Sequence, residues 1–340
     1  MALTLSEKIK KLRPKVSSLI LIYDSALTTK QINPWIKKYN PEYTLRIPGG
    51  EKNKTAKNAI RLSEELLKKG IDRNALILVI GGGATSDLVG FVASIVLRGV
   101  RWATIPTTLL SMVDASIGGK TGVNACEGKN MIGTFHFPEY VHVDLKWLKT
   151  LPKNEMLSGC GELLKTSLLA GGQLWRLCLQ MKPKNFHTTN NYLAKAISLS
   201  SKYKTNIVKN DPLESNNRQI LNFGHTFGHA IEMATRGAIT HGVAVAHGIN
   251  CALRLSYEQK LCKESLLLQT NHVSEAMGLP KKLDLPQKRA KTLEKYFKKD
   301  KKLKGLEPRT ILLKKPGEPM ISKKFSISEL ANTLFDYANQ

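Results

Sequence analysis

Apolar residues in the first half of the chain gather into short runs, separated by turn formers and amphipathic stretches. SLILIYDSAL (18–27) is an apolar run that ends in Asp24, and YTLRIPG (43–49) reads as a second short strand. TAKNAIRLSEELLKKG (55–70) has helical periodicity and stops at Gly70. ALILVIGGGATSDLVGFVASIVL (75–97) reads as a buried strand, a glycine turn and a helix. WATIPTTLL (102–110) and YVHVDL (140–145) supply further strands. Strands alternating with helices predict an α/β domain with a largely parallel sheet.

After LKTLPK (148–153) the texture changes. NEMLSGCGELLKTSLLAGG (154–172), NYLAKAISLSSKYKTNIVKND (191–211) and HGVAVAHGINCALRLSYEQ (241–259) all carry helical patterns. TILL (310–313) is strand-like within a C-terminal part of short helices. The expected organisation is an α/β domain over 1–153 and a mainly α-helical domain over 154–340. No internal repeat or low-complexity linker interrupts it.

RQILNFGHTFGHAIE (218–232) carries the most unusual polar pattern in the helical half. Read as one helix, it places Arg218, Asn222, His225 and His229 within about 60° of one another. Ile220, Phe223, Phe227, Ala230 and Ile231 fall on the opposite side. Gly224 and Gly228, one turn apart, would let another backbone or a ligand come close, at about 1 kcal/mol of helix propensity each. A solvated face usually carries Lys and Glu; this one carries imidazoles, an amide and glycines.

Composition narrows the function classes. The 340 residues include 52 Lys and Arg against 27 Asp and Glu, a net charge of +25. The lysines are scattered, with one denser patch at KYFKKDKKLKG (295–305), and no RNP motif, Cys/His finger or basic coiled coil accompanies them. Such a charge can signal nucleic acid or an anionic small substrate, but scattered in this way most of it reads as general surface basicity. No run approaches the ~18 apolar residues of a membrane span. The N-terminus lacks the apolar core of a signal peptide. Five cysteines without a CxxC pair read as free thiols in a reducing cytoplasm.

Candidate chemistry concentrates in three places. IGGGATSDLVG follows a buried strand and opens a helix, so its backbone N–H groups could hold a pyrophosphate. Asp24 ends the first strand, where an acidic residue commonly binds an adenosine ribose, and GGEKNKT (49–55) adds Glu51 and Lys52. Segment 98–130 holds Arg98, Asp114, Lys120, Lys129 and Asn130 among Thr107, Thr108 and the Gly118–Gly119 pair. Lysines flanked by Gly and Thr on a loop suit oxyanion or phosphate binding. His225 and His229 form an i, i+4 pair that is a common zinc half-site but, taken alone, is more often structural. His241 lies 16 residues after His225, and Glu162 sits three before Lys165 on an otherwise mostly apolar helix. Three N/O ligands with an open position would make a catalytic metal site.

Taken together, GEKNKT, GGGATSDLVGFVA, the 98–134 stretch ending KNMIGTF, LKTLP, GELLKT, KTNIVKND, RQILNFGHTFGHAIE and His241–Gly242 resemble the 3-dehydroquinate synthases of the sugar phosphate cyclase group. DKKLKG (300–305) extends the resemblance. It implies a Rossmann-like NAD-binding domain followed by a helical metal- and substrate-binding domain. It further implies Zn²⁺, or Co²⁺, on Glu162, His225 and His241. The substrate pocket would be lined by Asp114, Lys120, Lys165, Lys204, Arg218, Asn222, His229 and Lys301, with Arg98 at the phosphate. NAD would meet Asp24, Glu51, Lys52, Gly82, Gly83, Asp87, Thr107, Thr108, Lys120, Lys129 and Asn130.

The implied reaction converts 3-deoxy-D-arabino-heptulosonate 7-phosphate (DAHP) to 3-dehydroquinate and phosphate, by transient oxidation, elimination, re-reduction and aldol closure. A cytoplasmic homodimer without nucleic-acid or membrane partners is expected. Two positions depart from the pattern: Val243 where Glu is usual after His-Gly, and Phe137 where Gln is usual before Pro138. The first bears on the surroundings of the implied metal, since outer partners orient ligands. Neither removes an implied ligand. The competing readings are a related cyclase acting on another sugar phosphate and, from another class, a basic RNA-binding module or a catalytically dead scaffold. Glycerol dehydrogenases would share the glycine turn and a metal site but not this set of phosphate-binding residues.

Overall fold

Strands with no polar face have nowhere to go but the middle of a sheet covered on both sides. In the computed structural model, which describes residue 7 and residues 15–182, 191–285, 292–304 and 309–339, the apolar runs behave in this way. β1 (Leu19–Asp24), β2 (Tyr43–Ile47), β3 (Leu76–Gly81), β4 (Arg101–Pro106) and the two-residue strand β7 (Tyr140–Val141) form one sheet in the order β2-β1-β3-β4-β7. All four pairings are parallel, with Ile20 beside Tyr43, Leu19 beside Leu76, Leu76 beside Arg101 and Ala103 beside Tyr140. Ile20, Ile22, Ile77 and Val79 are fully buried in a core shared with Leu62 and Leu66 of helix α2 (Ala56–Lys68) and Val89 and Val92 of helix α3 (Gly83–Ile95).

Three features of this part differ from the sequence expectation. Helix α1 (Thr29–Tyr39) was not foreseen, because Pro34 lies inside it and only Ile32 and Tyr39 are buried. A capping box between Thr28 and Gln31 secures its start despite the proline. The lysine-bearing stretch expected as a loop instead contains a π-helical turn (Ser111–Ala115) and an antiparallel hairpin, β5 (Lys120–Ala125) with β6 (Gly128–Phe135). Its alternation is weak because β6 is exposed along nearly its whole length. YVHVDL contributes only the strand Tyr140–Val141.

The chain divides into two compact units at Trp147/Leu148. The second is helical: α4 (Lys153–Ala170), α5 (Gly172–Leu179), α6 (Asn191–Asn210), α7 (His225–Thr235), α8 (His241–Glu258), α9 (Glu264–Ala276), α10 (Leu293–Lys304) and α11 (Ile327–Ala338), with a small hairpin of β8 (Thr310–Leu313) and β9 (Pro319–Ser322). Helix α8 is its axis, packed against α4, α7, α9, α11 and β8, and every residue from Gly242 to Ile249 is buried. All five cysteines are free thiols, and no helix among the described residues is long and apolar enough to cross a membrane.

Glycines set the closest approaches around α8. A Cβ on Gly161 of α4 would lie 1.8 Å from the carbonyl oxygen of Gly242, and one on Gly242 would lie 1.7 Å from that of Ser158. The two helices therefore touch backbone to backbone, and Gly242 N–H donates to Ser158 Oγ across the contact.

The single helix expected over 218–232 is broken. Asn217–Asn222 form a 3₁₀ turn, Phe223 is extended and fully buried, and Gly224 has φ +78° before α7 begins at His225. A side chain at Gly224 would also meet Val245 O at 2.8 Å. The expectation that Gly224 and Gly228 admit another backbone holds; α8 is that backbone. Arg218 and Asn222 thus do not share a continuous helical face with His225 and His229.

Because backbone rather than flexible side chain blocks the space, Gly242→Ala should cost at least about 2 kcal/mol through overpacking. The urea midpoint should fall accordingly; an unchanged midpoint would mean that α4 and α8 can separate without penalty.

Candidate functional site

Helix α4 carries a carboxylate into the interior of the second unit. Glu162 is completely buried, and neither of its oxygens has a hydrogen-bond partner. Lys165, one turn on and 2% exposed, brings Nζ to 2.5 Å from Oε2 as an ion pair without hydrogen-bond alignment. Burying an ion costs several kcal/mol unless other charges compensate it. Two imidazoles face the other oxygen: His225 Nε2 lies 3.6 Å and His241 Nε2 3.4 Å from Glu162 Oε1. One ligand atom from each of these three residues falls within 4.8 Å of the others.

The outer nitrogens of both rings are engaged. His225 Nδ1 faces the carbonyl of Phe223 at 3.2 Å, and His241 Nδ1 faces Glu232 Oε2 at 3.0 Å. Carbonyl and carboxylate only accept, so each Nδ1 carries its hydrogen and each Nε2 is left for the centre. The two rings differ in charge. Burial, then the positive charges of Lys165, His241 and His229, holds His225 well below the ordinary imidazole value. Burial also disfavours the charged form of His241, but Glu162 and Glu232, one at each nitrogen, outweigh it and raise the ring to about 10.

His229 stands one turn beyond His225, with ring centroids 5.5 Å from His225 and 6.3 Å from His241, outside the three-residue cluster. An orphaned carboxylate facing two imidazoles is a donor set suited to Zn²⁺ or Co²⁺, and three protein donors leave room for a further ligand.

Other candidates of this unit surround the loop from α6 to α7. Lys204 of α6 and Arg218 are buried, at 7% and 2% exposure. Arg218 donates from Nη1 to the carbonyl of Pro212. Asn222 is exposed and donates from Nδ2 to Glu214 Oε1 at 2.9 Å. Asp211 shapes this loop by accepting the backbone N–H groups of Ser215, Asn216 and Arg218 at 2.8–2.9 Å. Those bonds, that of Arg218 first, lower its carboxyl below the usual range. Lys301 lies in α10, with its side chain outside the described residues.

The first unit builds a different kind of site. Gly82 is the N-cap of α3 and supplies no side-chain cap, so the first-turn N–H groups keep the anion-binding character of an uncapped helix start. Room at the turn is tight: a Cβ on Gly82 would lie 3.0 Å from Thr108 Cγ2, and one on Gly83 would lie 3.1 Å from Ala115 Cβ. Asp24, at the end of β1, accepts from Thr85 Oγ1 at 2.7 Å and so sits beside the turn. Thr107 N–H donates to Gly81 O, and Thr108 Oγ1 accepts from Ser111 N–H.

Asp87 and Asn130 meet through a residue the sequence reading passed over. Lys54, 2% exposed, donates to Asp87 Oδ2 at 2.8 Å and to Asn130 Oδ1, and lies 3.5 Å from Glu51 Oε1. Its neighbour Lys52, chosen from the sequence, is exposed. Arg98, Lys120 and Lys129 are exposed and Asp114 is half-buried. Arg98 follows Leu97 in a left-handed pair (φ 51° and 64°), an uncommon backbone for residues with side chains. Phe137 is exposed, its ring edge covering Gly119, and Val243 is buried on α8. Glu232 was also missed, although it lies two turns after His225 on the same helical face, a spacing visible in the sequence.

Two family descriptions match the chain in tandem: 3-dehydroquinate synthase N-terminal over residues 44–158 and 3-dehydroquinate synthase C-terminal over 159–303. A 3-dehydroquinate synthase of Leptospira interrogans serovar copenhageni is 41% identical over 324 residues, covering 93% of this chain and 87% of the relative. The chain belongs to the 3-dehydroquinate synthase family. Solved structures similar to this family member include a 2-deoxy-scyllo-inosose synthase complexed with carbaglucose-6-phosphate, NAD⁺ and Co²⁺ (TM-score 0.87, 24% identity, 98% of this chain and 95% of that one). A 2-epi-5-epi-valiolone synthase from Streptomyces hygroscopicus with NAD⁺ and Zn²⁺ bound is similar too (TM-score 0.86, 24% identity, 96% and 93%). At that identity both establish the dehydroquinate synthase-like fold.

The two imidazoles generate a pH prediction. A metal held by this cluster would need the Nε2 lone pair of His241, a ring that Glu162 and Glu232 raise to about 10 against its burial. Loading Zn²⁺ near neutral pH should therefore release close to one proton, and affinity should fall as pH is lowered. Calorimetry in buffers of different ionisation enthalpy reads the proton directly. In the same assay His225→Ala should lose at least about 100-fold in affinity, beyond the ~10–100-fold typical of an outer partner. His229→Ala should bind as the parent does; the reverse order would exchange the roles of these two residues.

Proposed function

We propose that this family member converts DAHP to 3-dehydroquinate and phosphate, using catalytic NAD and a divalent metal. The observation carrying this reading is the Glu162–His225–His241 cluster, with a fully buried carboxylate and two half-buried imidazoles, in a unit that also buries Lys165, Lys204 and Arg218. Fixed cations suit a small polyanion, and a Lewis acid beside a hydroxyl eases its oxidation. When bound, the metal on Glu162, His225 and His241 would polarise that hydroxyl, and NAD would accept a hydride and later return it.

The chain's own residues do the holding. Lys165, Lys204, Arg218, Asn222, His229 and Lys301 are assigned to the substrate, with Asp114 and Lys120 of the first unit and Arg98 at the phosphate. The uncapped start of α3 at Gly82 and Gly83 is assigned to the pyrophosphate, and Asp24 to a ribose. Glu51, Lys52, Asp87, Thr107, Thr108, Lys120, Lys129 and Asn130 are assigned to the remainder of NAD, and Lys54 joins them by holding Glu51, Asp87 and Asn130 together. Oxidation of the substrate acidifies the adjacent C–H, so phosphate can leave by elimination, with its own oxygen taking the proton. Fixing one conformer of a flexible sugar acid is then the protein's main contribution. β6 exposes Met131, Ile132 and Phe135, which supports the further proposal of a homodimer, checked by light scattering.

Because the hydride is returned, NAD⁺ far below substrate concentration should support many turnovers. Phosphate and 3-dehydroquinate should form in equal amounts with no net rise in NADH absorbance. NADH accumulating in proportion to product would mark a dehydrogenase and overturn the assignment. Lys204→Met should lower kcat/KM by about 30-fold or more, the scale of ~2–5 kcal/mol for a buried charge left without its partner. Lys298→Ala, in the exposed basic patch, should leave it near the parent value.

A further inference from the structure

Glu232 lies on α7 seven residues after His225, so it projects from the same face two turns further on. Its side chain is 10% exposed, and its Oε2 is 3.0 Å from His241 Nδ1. The opposite nitrogen of that ring is 3.4 Å from Glu162 Oε1. The imidazole is thus held between two carboxylates, one from α4 and one from α7, while its own backbone belongs to α8.

His241 has few other restraints. It is the first residue of α8, its side chain is 33% exposed, and Thr240 before it makes no side-chain cap. Val243, two residues on, is buried and apolar and offers no acceptor. His225 is different: its side chain is 13% exposed, and its Nδ1 is fixed by a backbone carbonyl only two residues away. Of the two imidazoles, His241 is the one whose orientation depends on a distant side chain.

We propose that Glu232 is a positioning residue that holds His241 as the Nδ1–H tautomer and aims Nε2 at the metal. It does so for the metal proposed above and rests on that reading. The carboxylate does not touch the ion; it fixes the ring and raises the basicity of the nitrogen that does. It also links α7 to the start of α8, so the helices carrying the two imidazoles are joined at the site itself.

The test uses the full chain and Co²⁺ alone, with affinity read by chelator competition and coordination by the visible d–d bands. Glu232→Ala should lose about 10–100-fold in Co²⁺ affinity and alter the band intensities. Glu232→Gln, whose amide oxygen still accepts from Nδ1–H, should fall between alanine and the parent. Zn²⁺-loaded parent labelled with ¹⁵N in histidine should show His241 protonated at Nδ1, a readout that does not depend on how any variant folds. Parent-like affinity and bands in Glu232→Ala, or metal on Nδ1 in the labelled protein, would overturn the proposal. His225→Ala keeps the two readings apart: if it binds Co²⁺ as tightly as the parent, the metal assignment itself fails, whatever Glu232 does.

Discussion

A carboxylate with no exposed surface and no hydrogen-bond donor aligned on it cannot persist in a protein interior unaided. Glu162 is in that position, and the surrounding structure can be understood as the set of arrangements that make it tolerable. Lys165 answers it from the next turn of the same helix. His241 reaches it only because Gly161 and Gly242 let α4 and α8 meet backbone to backbone, and His225 reaches it because the chain turns sharply at Gly224. Each of these glycines stands where a methyl group would collide with a carbonyl oxygen. Packing and chemistry are therefore the same constraint at this point.

The two units solve recognition by different physics. In the second, charge is buried and fixed by side chains from several helices, so the position of one group depends on the others. In the first, recognition is proposed to rest on a backbone: an uncapped helix start after a fully buried strand, with glycines keeping it open. Side chains there act mainly on one another, as Lys54 does in drawing Asp87 and Asn130 to one ammonium group.

The large positive charge divides in the same way. Among the described residues, Lys54, Lys165, Lys204 and Arg218 are buried, whereas Lys298 forms an exposed i, i+4 pair with Glu294 of the kind worth a few tenths of a kcal/mol. A net charge of +25 says little about which cations matter; burial separates them. The neighbours split the two imidazoles: burial and the charge of Lys165 hold His225 well below the ordinary value, whereas Glu162 and Glu232 raise His241 against its burial.

Much of this was legible in the chain itself. Runs such as LILVIG have no polar face and can only be central parallel strands, and a glycine turn after one of them fixes a helix start. The motifs from residue 49 to residue 242 carry the family, and with it the grouping of Glu162, His225 and His241 that the structure assembles. What the chain did not reveal are the features set by distant contacts. The helical period of 218–232 is real, yet α8 occupies the space a continuous helix would need, so the turn at Gly224 prevails. Lys52 and Lys54 are indistinguishable in GGEKNKT, and only the positions of Asp87 and Asn130 decide which one is buried. Glu232 sits on the expected face, but its partner is nine residues away on another helix. Local sequence determines what each segment prefers; which side chains meet is decided by where helices cross, and that is set by packing the whole unit at once.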